Sequence, residues 1–581
     1  MQNIYEQASQ ILSNLKFTSD NVDMIDCYYL CSNKDLIEDL RTKDPQVIWG
    51  RRGTGKTTLL KAFTYDINLL QQDPSQMAFY IVMSNVIPTE NEIESLSDDG
   101  GSLAVYVFIK LISEIIKQLE KNYDFRQGVM EPDSENKFLK SYDTLTEYIN
   151  KCKMKLQGCE ITFENSESEQ LNKETTTNIG LDIKAEKSFF NSLLNFVRGR
   201  KRTSTKSNTY SVSGQIQFKL DCQEIKERIT EMLEAFNIST AYICLDEYSE
   251  IDKVSTFSIQ SKVAQLIKQV FFKNSMYSVK IATIWNRSKL HSRGGNRMEG
   301  IEYQQDIFAG PDLDIMFMEN NTDIINYFKE MLVNTYLMGL DINPEEKKAL
   351  SDYFENYMFG KAGLRHIICG SQGVSRSFAV LIKEYLKKFI KNKNGILKLG
   401  DVYQIIKHHY LEDVRNKIPY FKTYNAIEEY IKNNLCRYFL ITKEDYDRCK
   451  TTIKYLSSKG LFMQVPGHLT DIQIRDKYKL FIIHYGNYLD ALESASHKTG
   501  RKKITDDAKL EANGMLIPDY DRQLIIDPKA YTISIPKDAE FEEYCTNCRK
   551  IFQNKTKTIT TCPHCGEKII RFDSFVNDVA L

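Results

Sequence analysis

Strand-length apolar runs alternate with stretches of helical periodicity through the first half of the chain. The apolar runs are Val47–Trp49, Ala78–Met83, Ala241–Leu245 and Val279–Ile284. The helical stretches between them are Thr57–Leu69, 104–121 and Gln223–Ala235. Because strands that alternate with helices form parallel sheets, this half of the chain is predicted to be an α/β domain with helices flanking a parallel sheet.

The second half of the chain is mostly helical in pattern. Helical periodicity dominates from Asn321 to Lys393, which predicts an all-α part. Two more helices, Val402–His409 and Tyr424–Asn434, lead into a third region. There Thr442 is expected to cap a helix over Asp445–Ser458, with a strand and a turn after it. This order of elements is typical of a winged helix.

Composition excludes some classes of protein. The chain has 581 residues, 42% of them apolar and 27% charged, which indicates several globular domains. The 77 basic and 78 acidic residues nearly cancel, so a contact with nucleic acid would need a local basic surface. The sequence contains neither an apolar run of membrane-spanning length nor the pattern of a secretory signal. We therefore expect a cytoplasmic protein without membrane contact.

The segment after the first apolar run fits the phosphate-binding consensus G-x-x-x-x-G-K-[ST]. Glycines let backbone N–H groups curve around an anion, and the N-terminus of the following helix adds positive potential. We expect Lys56 to reach the β- and γ-phosphates of a nucleotide and the Thr57 hydroxyl to bind Mg²⁺. The alternative, a chance glycine-rich turn, is disfavoured by the strand–loop–helix context. The residues expected to hold the nucleotide are Gly50, Arg51, Arg52, Gly53, Thr54, Gly55, Lys56, Thr57 and Thr58.

Two acids follow the apolar run Ala241–Leu245. Asp246 is expected to hold Mg²⁺, and Glu247 to polarise the attacking water as a general base. Many strands end in carboxylates, so this pair gains its meaning from the phosphate-binding loop. Glu250, close by, is interpreted as a solvated loop acid.

With these residues the chain resembles AAA+ ATPases, and among them the origin-recognition (ORC-like) branch. The strand that leads to Asn286 resembles the sensor-1 strand, and Gly373–Arg376 resembles the sensor-2 motif of an α-helical lid. The resemblance implies that ATP is hydrolysed with the help of Asn286 and Arg376. It also implies a homo-oligomer in which an arginine reaches a neighbour's nucleotide, and Arg293 and Arg297 are the candidates. A structural role is the alternative for each of these four residues.

The pattern and the resemblance together divide the chain into five parts. The ATPase core covers 1–310 and contains a polar insertion at 155–220. An α-helical lid covers 311–398, a winged-helix-like domain 399–495, a linker with small strands 496–540, and a zinc ribbon 541–575. About 190 residues separate Lys56 from Asp246, and the insertion accounts for much of that distance.

The zinc ribbon is predicted from four of the thirteen cysteines. Cys545 and Cys548 form one C-x-x-C pair, Cys562 and Cys565 form a second one, and thirteen residues separate the two pairs. Four thiolates at this spacing suit a closed, structural Zn²⁺ site. A redox pair or disulfides are the alternatives, and a disulfide framework fits a reducing compartment less well.

The sequence leaves the partner of the ATPase open. The candidate winged helix carries basic residues among acidic ones, so it could contact DNA or protein. Those basic residues are Lys443, Arg448, Lys450, Lys454 and Lys459. A second basic cluster, Arg198–Arg202 with Lys206, lies inside the insertion and fits either phosphate contact or a solvated loop.

These expectations combine into one preferred function. The chain is interpreted as an ATP-hydrolysing AAA+ switch or remodeller associated with DNA, and by analogy as a component of a bacterial phage-defence or mobile-element system. The alternative is a nucleotide-dependent sensor or scaffold that oligomerises with protein partners and does not contact DNA. A third interpretation is a structural nucleotide-binding protein without turnover. An effector or partner protein fits each of them.

Overall fold

The computed structural model of the chain describes most of the core, the helical middle and the domain that follows. The described residues are 34–70, 73–89, 92, 100–126, 130–156, 220–253, 259–272, 274–284, 287–294, 297–314, 321–335, 343–392, 395–464, 477–499, 531–545, 548, 550–554, 559 and 561–566. The predicted insertion lies outside them except at its ends, 155–156 and 220.

A parallel sheet forms the centre of the first part. The described strands there are β1 (Gln46–Trp49), β2 (Gln76–Val82), β3 (Thr240–Asp246), β4 (Tyr277–Ala282), β5 (His291–Gly294), β6 (Arg297–Gly300) and β7 (Phe308–Asp312). Five of them pair in the order β2-β3-β4-β1-β7, all parallel. The predicted parallel sheet is confirmed, although β4 ends two residues earlier than expected. β5 and β6 form a separate antiparallel pair.

Helices cover both faces of this sheet, as predicted. They are α1 (Lys34–Leu40), α2 (Lys56–Tyr65), α3 (Gly100–Arg126), α4 (Pro132–Leu156), α5 (Cys222–Ala235) and α6 (Gln260–Phe271). Alternate residues of β3 point to opposite faces. Tyr242 and Cys244 pack with α2, whereas Ala241, Ile243 and Leu245 pack with α3, α5 and α6. The sheet with helices on both faces fits the core of a P-loop nucleotide-binding protein.

The middle of the chain is helical, as its periodicity predicts. Its helices are α7 (Asn321–Glu330), α8 (Pro344–Tyr353), α9 (Lys361–Ser371), α10 (Ser375–Lys391) and α11 (Leu399–His409). The apolar face of α10, with Phe378, Leu381 and Tyr385, is buried in the same cluster as α2 and β3 residues. We call residues 321–392 the helical segment. It therefore shares a core with the α2 face of the sheet.

A three-stranded antiparallel sheet organises the third region. Its elements are α12 (Lys422–Asn434), β8 (Tyr438–Thr442), α13 (Lys443–Arg448), α14 (Lys450–Ser458), β9 (Phe462–Gln464), β10 (Tyr478–Ile483) and α15 (Tyr485–Thr499). The sheet order is β8-β10-β9. The winged-helix assignment itself stays a prediction.

Two local expectations for this region are corrected and one is confirmed. Thr442 caps its helix, because its side chain accepts a hydrogen bond from the Asp445 N–H. The helix predicted over Asp445–Ser458 is broken at Cys449 into α13 and α14. α15 continues to Thr499, so residues 496–499 are helical where a linker was expected.

The C-terminal part packs on the third region. Ile533 donates its N–H to the carbonyl of Leu440 in β8 at 2.9 Å, and Ile533 and Ile535 are buried. Beyond them β11 (Glu542–Tyr544) and β12 (Ile551–Gln553) pair antiparallel. Among the described residues, no helix is long and apolar enough to span a bilayer.

Candidate phosphate-binding site and cysteine cluster

The loop between β1 and α2 has a backbone that depends on its glycines. Gly50, Gly53 and Gly55 have φ values of +154°, +89° and +102°, which residues with a side chain rarely adopt. A Cβ on Gly53 would lie 3.0 Å from Val374 Cγ1, so the loop lies directly against the start of α10. The first turn of α2 contains no acidic residue. Its unpaired N–H groups and helix dipole therefore favour an anion.

Lys56 closes this loop with its side chain. Its ammonium group donates to the carbonyl oxygens of Gly50 at 2.7 Å and Arg51 at 2.8 Å. Desolvation lowers the pKa of Lys56 to about 8, against the opposing effect of Asp314 and Asp246. The ammonium is thus a poorly solvated cation in a loop that can receive phosphate.

Asp246 lies at the carboxyl end of β3, facing the first turn of α2. It is 2% exposed, and burial raises its pKa. Hydrogen bonds from the Tyr80 hydroxyl (2.8 Å), the Thr57 hydroxyl and the Glu247 N–H (2.9 Å) oppose that rise. The Thr57 hydroxyl and the Asp246 carboxylate are hydrogen-bonded to each other, and two such oxygen donors side by side are the chemistry that could hold Mg²⁺.

Glu247 is held in an unusual backbone conformation beside Asp246. Its φ is +56°, in the left-handed region, and its Oε2 accepts a hydrogen bond from the Ser84 hydroxyl at 2.6 Å. Ser84 belongs to the turn Met83–Val86 that follows β2. Glu250, interpreted as solvated, is instead 6% exposed, because the short helix Tyr248–Lys253 turns it inward.

The structure describes three of the four remaining candidate residues, Arg376, Arg293 and Arg297. Arg376, the second residue of α10, is exposed. A Cβ added to Gly53 would lie 3.2 Å from the Cβ of Arg376, so the two residues are close neighbours. Arg293 and Arg297 lie on the paired strands β5 and β6. Asn286 lies outside the described residues. Arg376 therefore lies beside the loop, Arg293 and Arg297 are placed only by their strands, and the roles of all four residues stay predictions.

Three cations gather beside the loop. Desolvation lowers the pKa of Arg287, and the nearby Arg52 lowers it further. Partial desolvation lowers the pKa of Lys459, and Arg287 and Arg52 add to the effect. Lys459 comes from the third region, just after α14. In the part of the chain that the structure describes, none of the three forms an ion pair.

Several contacts at this site were not foreseen from the sequence. Two of them are the hydrogen bonds that Tyr80 donates to Asp246 and Ser84 donates to Glu247. The others are the hydrogen bonds that Arg51 donates to Asp314 and Gln372. Tyr80 lies in a predicted strand, and only its pairing with β3 brings it to Asp246. The sequence signal that could have indicated these contacts is a polar residue near the carboxyl end of each predicted strand, because those ends meet at the ligand-binding edge of a parallel sheet.

The four patterned cysteines converge at the C-terminal end of the described chain. Their Sγ atoms all lie within 4.8 Å of one another, and the pairs Cys545–Cys565 and Cys548–Cys562 are each 3.6 Å apart. A tetrahedral Zn²⁺ with sulfur ligands at about 2.3 Å has sulfur–sulfur edges of about 3.8 Å. The observed distances fit that geometry and exclude disulfides, whose sulfurs are about 2 Å apart.

No protein-family model matches the chain, and no curated protein matches it. Among solved structures, it is similar to the Walker-type ATPase PABY2304 of Pyrococcus abyssi, with 11% sequence identity and a TM-score of 0.33. The match covers 83% of this chain and 99% of that one. At this TM-score the likeness supports no inference about activity.

We predict that the purified chain carries zinc. Elemental analysis of freshly prepared protein is expected to find about one zinc ion per chain, because four thiolates form a closed tetrahedral site. Cys548→Ser and Cys562→Ser remove a ligand each and should lose the metal. Cys222→Ser, at a half-buried cysteine in α5, is the matched control and should keep it. Wild-type protein without zinc would contradict the prediction.

Proposed function

We propose that the chain binds ATP with Mg²⁺ and hydrolyses it to ADP and phosphate. The observation that carries the proposal is the meeting of Lys56, Thr57 and Asp246 at the carboxyl edge of the parallel sheet. Parallel α/β sheets bind ligands at this edge, where loops follow the strands. The glycine-rich backbone and the N-terminus of α2 complete a site for a polyphosphate.

Each residue has a distinct task in this proposal. Lys56 moves its ammonium from the loop carbonyls to the β- and γ-phosphates. Thr57 and Asp246 hold Mg²⁺, which neutralises phosphate charge when bound. Glu247 orients the attacking water and accepts its proton. Ser84 fixes the Glu247 carboxylate, so its hydroxyl sets where that proton acceptor lies.

Replacing the proposed base separates hydrolysis from binding. Glu247→Gln is expected to lower kcat by about 100-fold or more while ATP binding is retained, because the amide cannot accept the proton. Steady-state phosphate release and a nucleotide-binding titration measure the two effects. Glu114→Gln, on the surface of α3, is the control and should hydrolyse ATP normally. Equal turnover in the wild type and Glu247→Gln would remove Glu247 from this role.

The pKa of Lys56 gives the binding step a pH dependence. The free site loses the ammonium charge as pH rises through about 8, whereas bound phosphate holds the proton. ATP affinity is therefore expected to fall about eightfold between pH 7.5 and pH 9. Lys56→Arg keeps its charge over this range, so its weaker affinity should not change with pH. A wild-type affinity independent of pH would contradict the proposal.

Within this proposed ATPase function, we assign the chain to the AAA+ type and to its ORC-like branch. Asn286 and Arg376 would then be the sensor residues. Arg293 or Arg297 would be the arginine that reaches the nucleotide of a neighbouring subunit. Its support is the strand order β2-β3-β4-β1-β7, which inserts β4 between the loop strand and the strand of Asp246. A polar residue after β4, such as Asn286, is then suited to contact the γ-phosphate. The winged-helix assignment of the third region belongs to the same proposal.

DNA is the proposed effector, and a protein partner is the alternative. Exposed Lys459 and its neighbours Arg52 and Arg287 support a contact with phosphates. The alternative is supported by Arg448, whose guanidinium donates to the carbonyls of Ile535, Pro536 and Lys537. Arg448 thus packs the C-terminal part and is not part of a DNA-facing surface. No described contact bears on a phage-defence or mobile-element role, which stays a hypothesis.

ATP turnover with and without double-stranded DNA, at two salt concentrations, distinguishes the two partners. Stimulation that weakens steeply with salt is expected if phosphates bind the basic residues, because counterions are released. Turnover that ignores DNA at both salt concentrations would support the protein-partner alternative instead.

A further inference from the structure

Arg51 connects the phosphate-binding loop to the helical segment. Its guanidinium donates from Nη2 to the Gln372 carbonyl at 2.7 Å and from Nη1 to Gln372 Oε1 at 3.2 Å. Nε donates to Asp314 Oδ1 at 2.8 Å, and the Arg51 backbone N–H donates to Asp314 Oδ2 at 2.8 Å. The side chain of Arg51 is only 14% exposed. One residue of the loop is thereby fixed at both its main chain and its side chain.

Gln372 is the residue where α9 turns into α10. Its φ of +51° is in the left-handed region, where a residue with a side chain is strained. Gln372 is 2% exposed, and Gly373 continues the turn with φ +75°. The two hydrogen bonds from Arg51 help to hold this turn, and the turn sets where α10 begins. α10 in turn lies against Gly53 of the same loop.

The Arg51 carbonyl belongs to the same arrangement. It accepts hydrogen bonds from the Lys56 ammonium at 2.8 Å and from the Thr54 hydroxyl at 2.9 Å. In the proposed function Lys56 moves to the phosphates, so the Arg51 carbonyl loses one of its donors. The residue whose carbonyl loses this donor, Arg51, is also the residue whose guanidinium is hydrogen-bonded to Gln372. Phosphate binding therefore acts on the residue that holds the helical segment.

We propose that Arg51 is a positioning residue that couples phosphate binding in the loop to the position of α9 and α10 through Gln372. The inference rests on the proposed function, since it takes a nucleotide as the ligand. Arg52, the next residue, provides the contrast. It has the same charge but is exposed, and its side chain forms no hydrogen bond within the described residues.

The test is hydrogen exchange of α9 and α10 with and without Mg–ADP, combined with a calorimetric measurement of ADP affinity. In the wild type, ADP is expected to change exchange in these helices by about fivefold or more. In Arg51→Ala this response should be lost, while in Arg228→Ala, a control at an arginine that forms ion pairs only within α5, it should be kept. A structural defect alone would change exchange equally with and without ADP.

A second variant keeps the test decisive if Arg51→Ala fails to bind ADP. Arg51→Lys retains the charge beside Asp314 but cannot donate to both Gln372 oxygens, because an ammonium lacks the planar fork. It should bind ADP with a reduced response in α9 and α10. A full response in either Arg51 variant that binds ADP, or no response in an ADP-binding wild type, would overturn the inference. Absence of ADP binding by the wild type would instead overturn the proposed function.

Discussion

A largely desolvated ammonium group, that of Lys56, sets the electrostatic conditions of the loop. It neutralises three nearby carboxylates in part, those of Asp246, Asp312 and Asp314, and it ties the loop together through two carbonyl oxygens. A polyphosphate brings negative charge into this setting, so it can bind only where the ammonium and the dipole of α2 outweigh the acids. In the proposed function, a divalent cation held by Thr57 and Asp246 would remove part of that conflict. The binding of an anion therefore depends on three further features: the glycine backbone of the loop, the buried carboxylate of Asp246 and the first turn of α2.

The loop is also a mechanical junction. Residues of α2 on one side of the loop share a hydrophobic cluster with the helical segment and with the third region. Phe63 of α2 packs edge-on against Tyr242 of β3, with ring centroids 5.0 Å apart. Within the helical segment, His366 of α9 is hydrogen-bonded to Tyr485 of α15 at 2.7 Å and to Tyr403 of α11 at 3.2 Å. A shift of α9 would thus disturb buried polar contacts in the third region, which are costly to leave unpaired.

Much of the fold could be predicted from local signals, and the contacts of the site could not. β1, β3 and α2 combine buried apolar runs with a consensus loop, so their place and type follow from the sequence. β7 was not predicted, because its sequence FAGPD contains a glycine and a proline, which are unfavourable in strands and tolerated at a sheet edge. The pairs Tyr80–Asp246, Ser84–Glu247 and Arg51–Gln372 join residues more than 160 positions apart, and only the register of the sheet and the packing of α10 bring them together. The zinc-type spacing is the exception, because thiolates close in sequence need little tertiary information to converge.

The third region brings a charge close to the phosphate-binding loop and forms hydrogen bonds with the segment that precedes the cysteine cluster. Arg448, at the end of α13, donates hydrogen bonds to three carbonyls of residues 535–537, which lead to β11, the strand that ends just before Cys545. Lys459, at the end of α14, lies beside Arg52 and Arg287 near the phosphate-binding loop. The basic residues that suggested one DNA-facing helix are thus divided, because the chain breaks at Cys449 and the two short helices face different neighbours. The third region is thus linked to the phosphate-binding loop by the like charges around Lys459, and to the C-terminal part by the hydrogen bonds of Arg448.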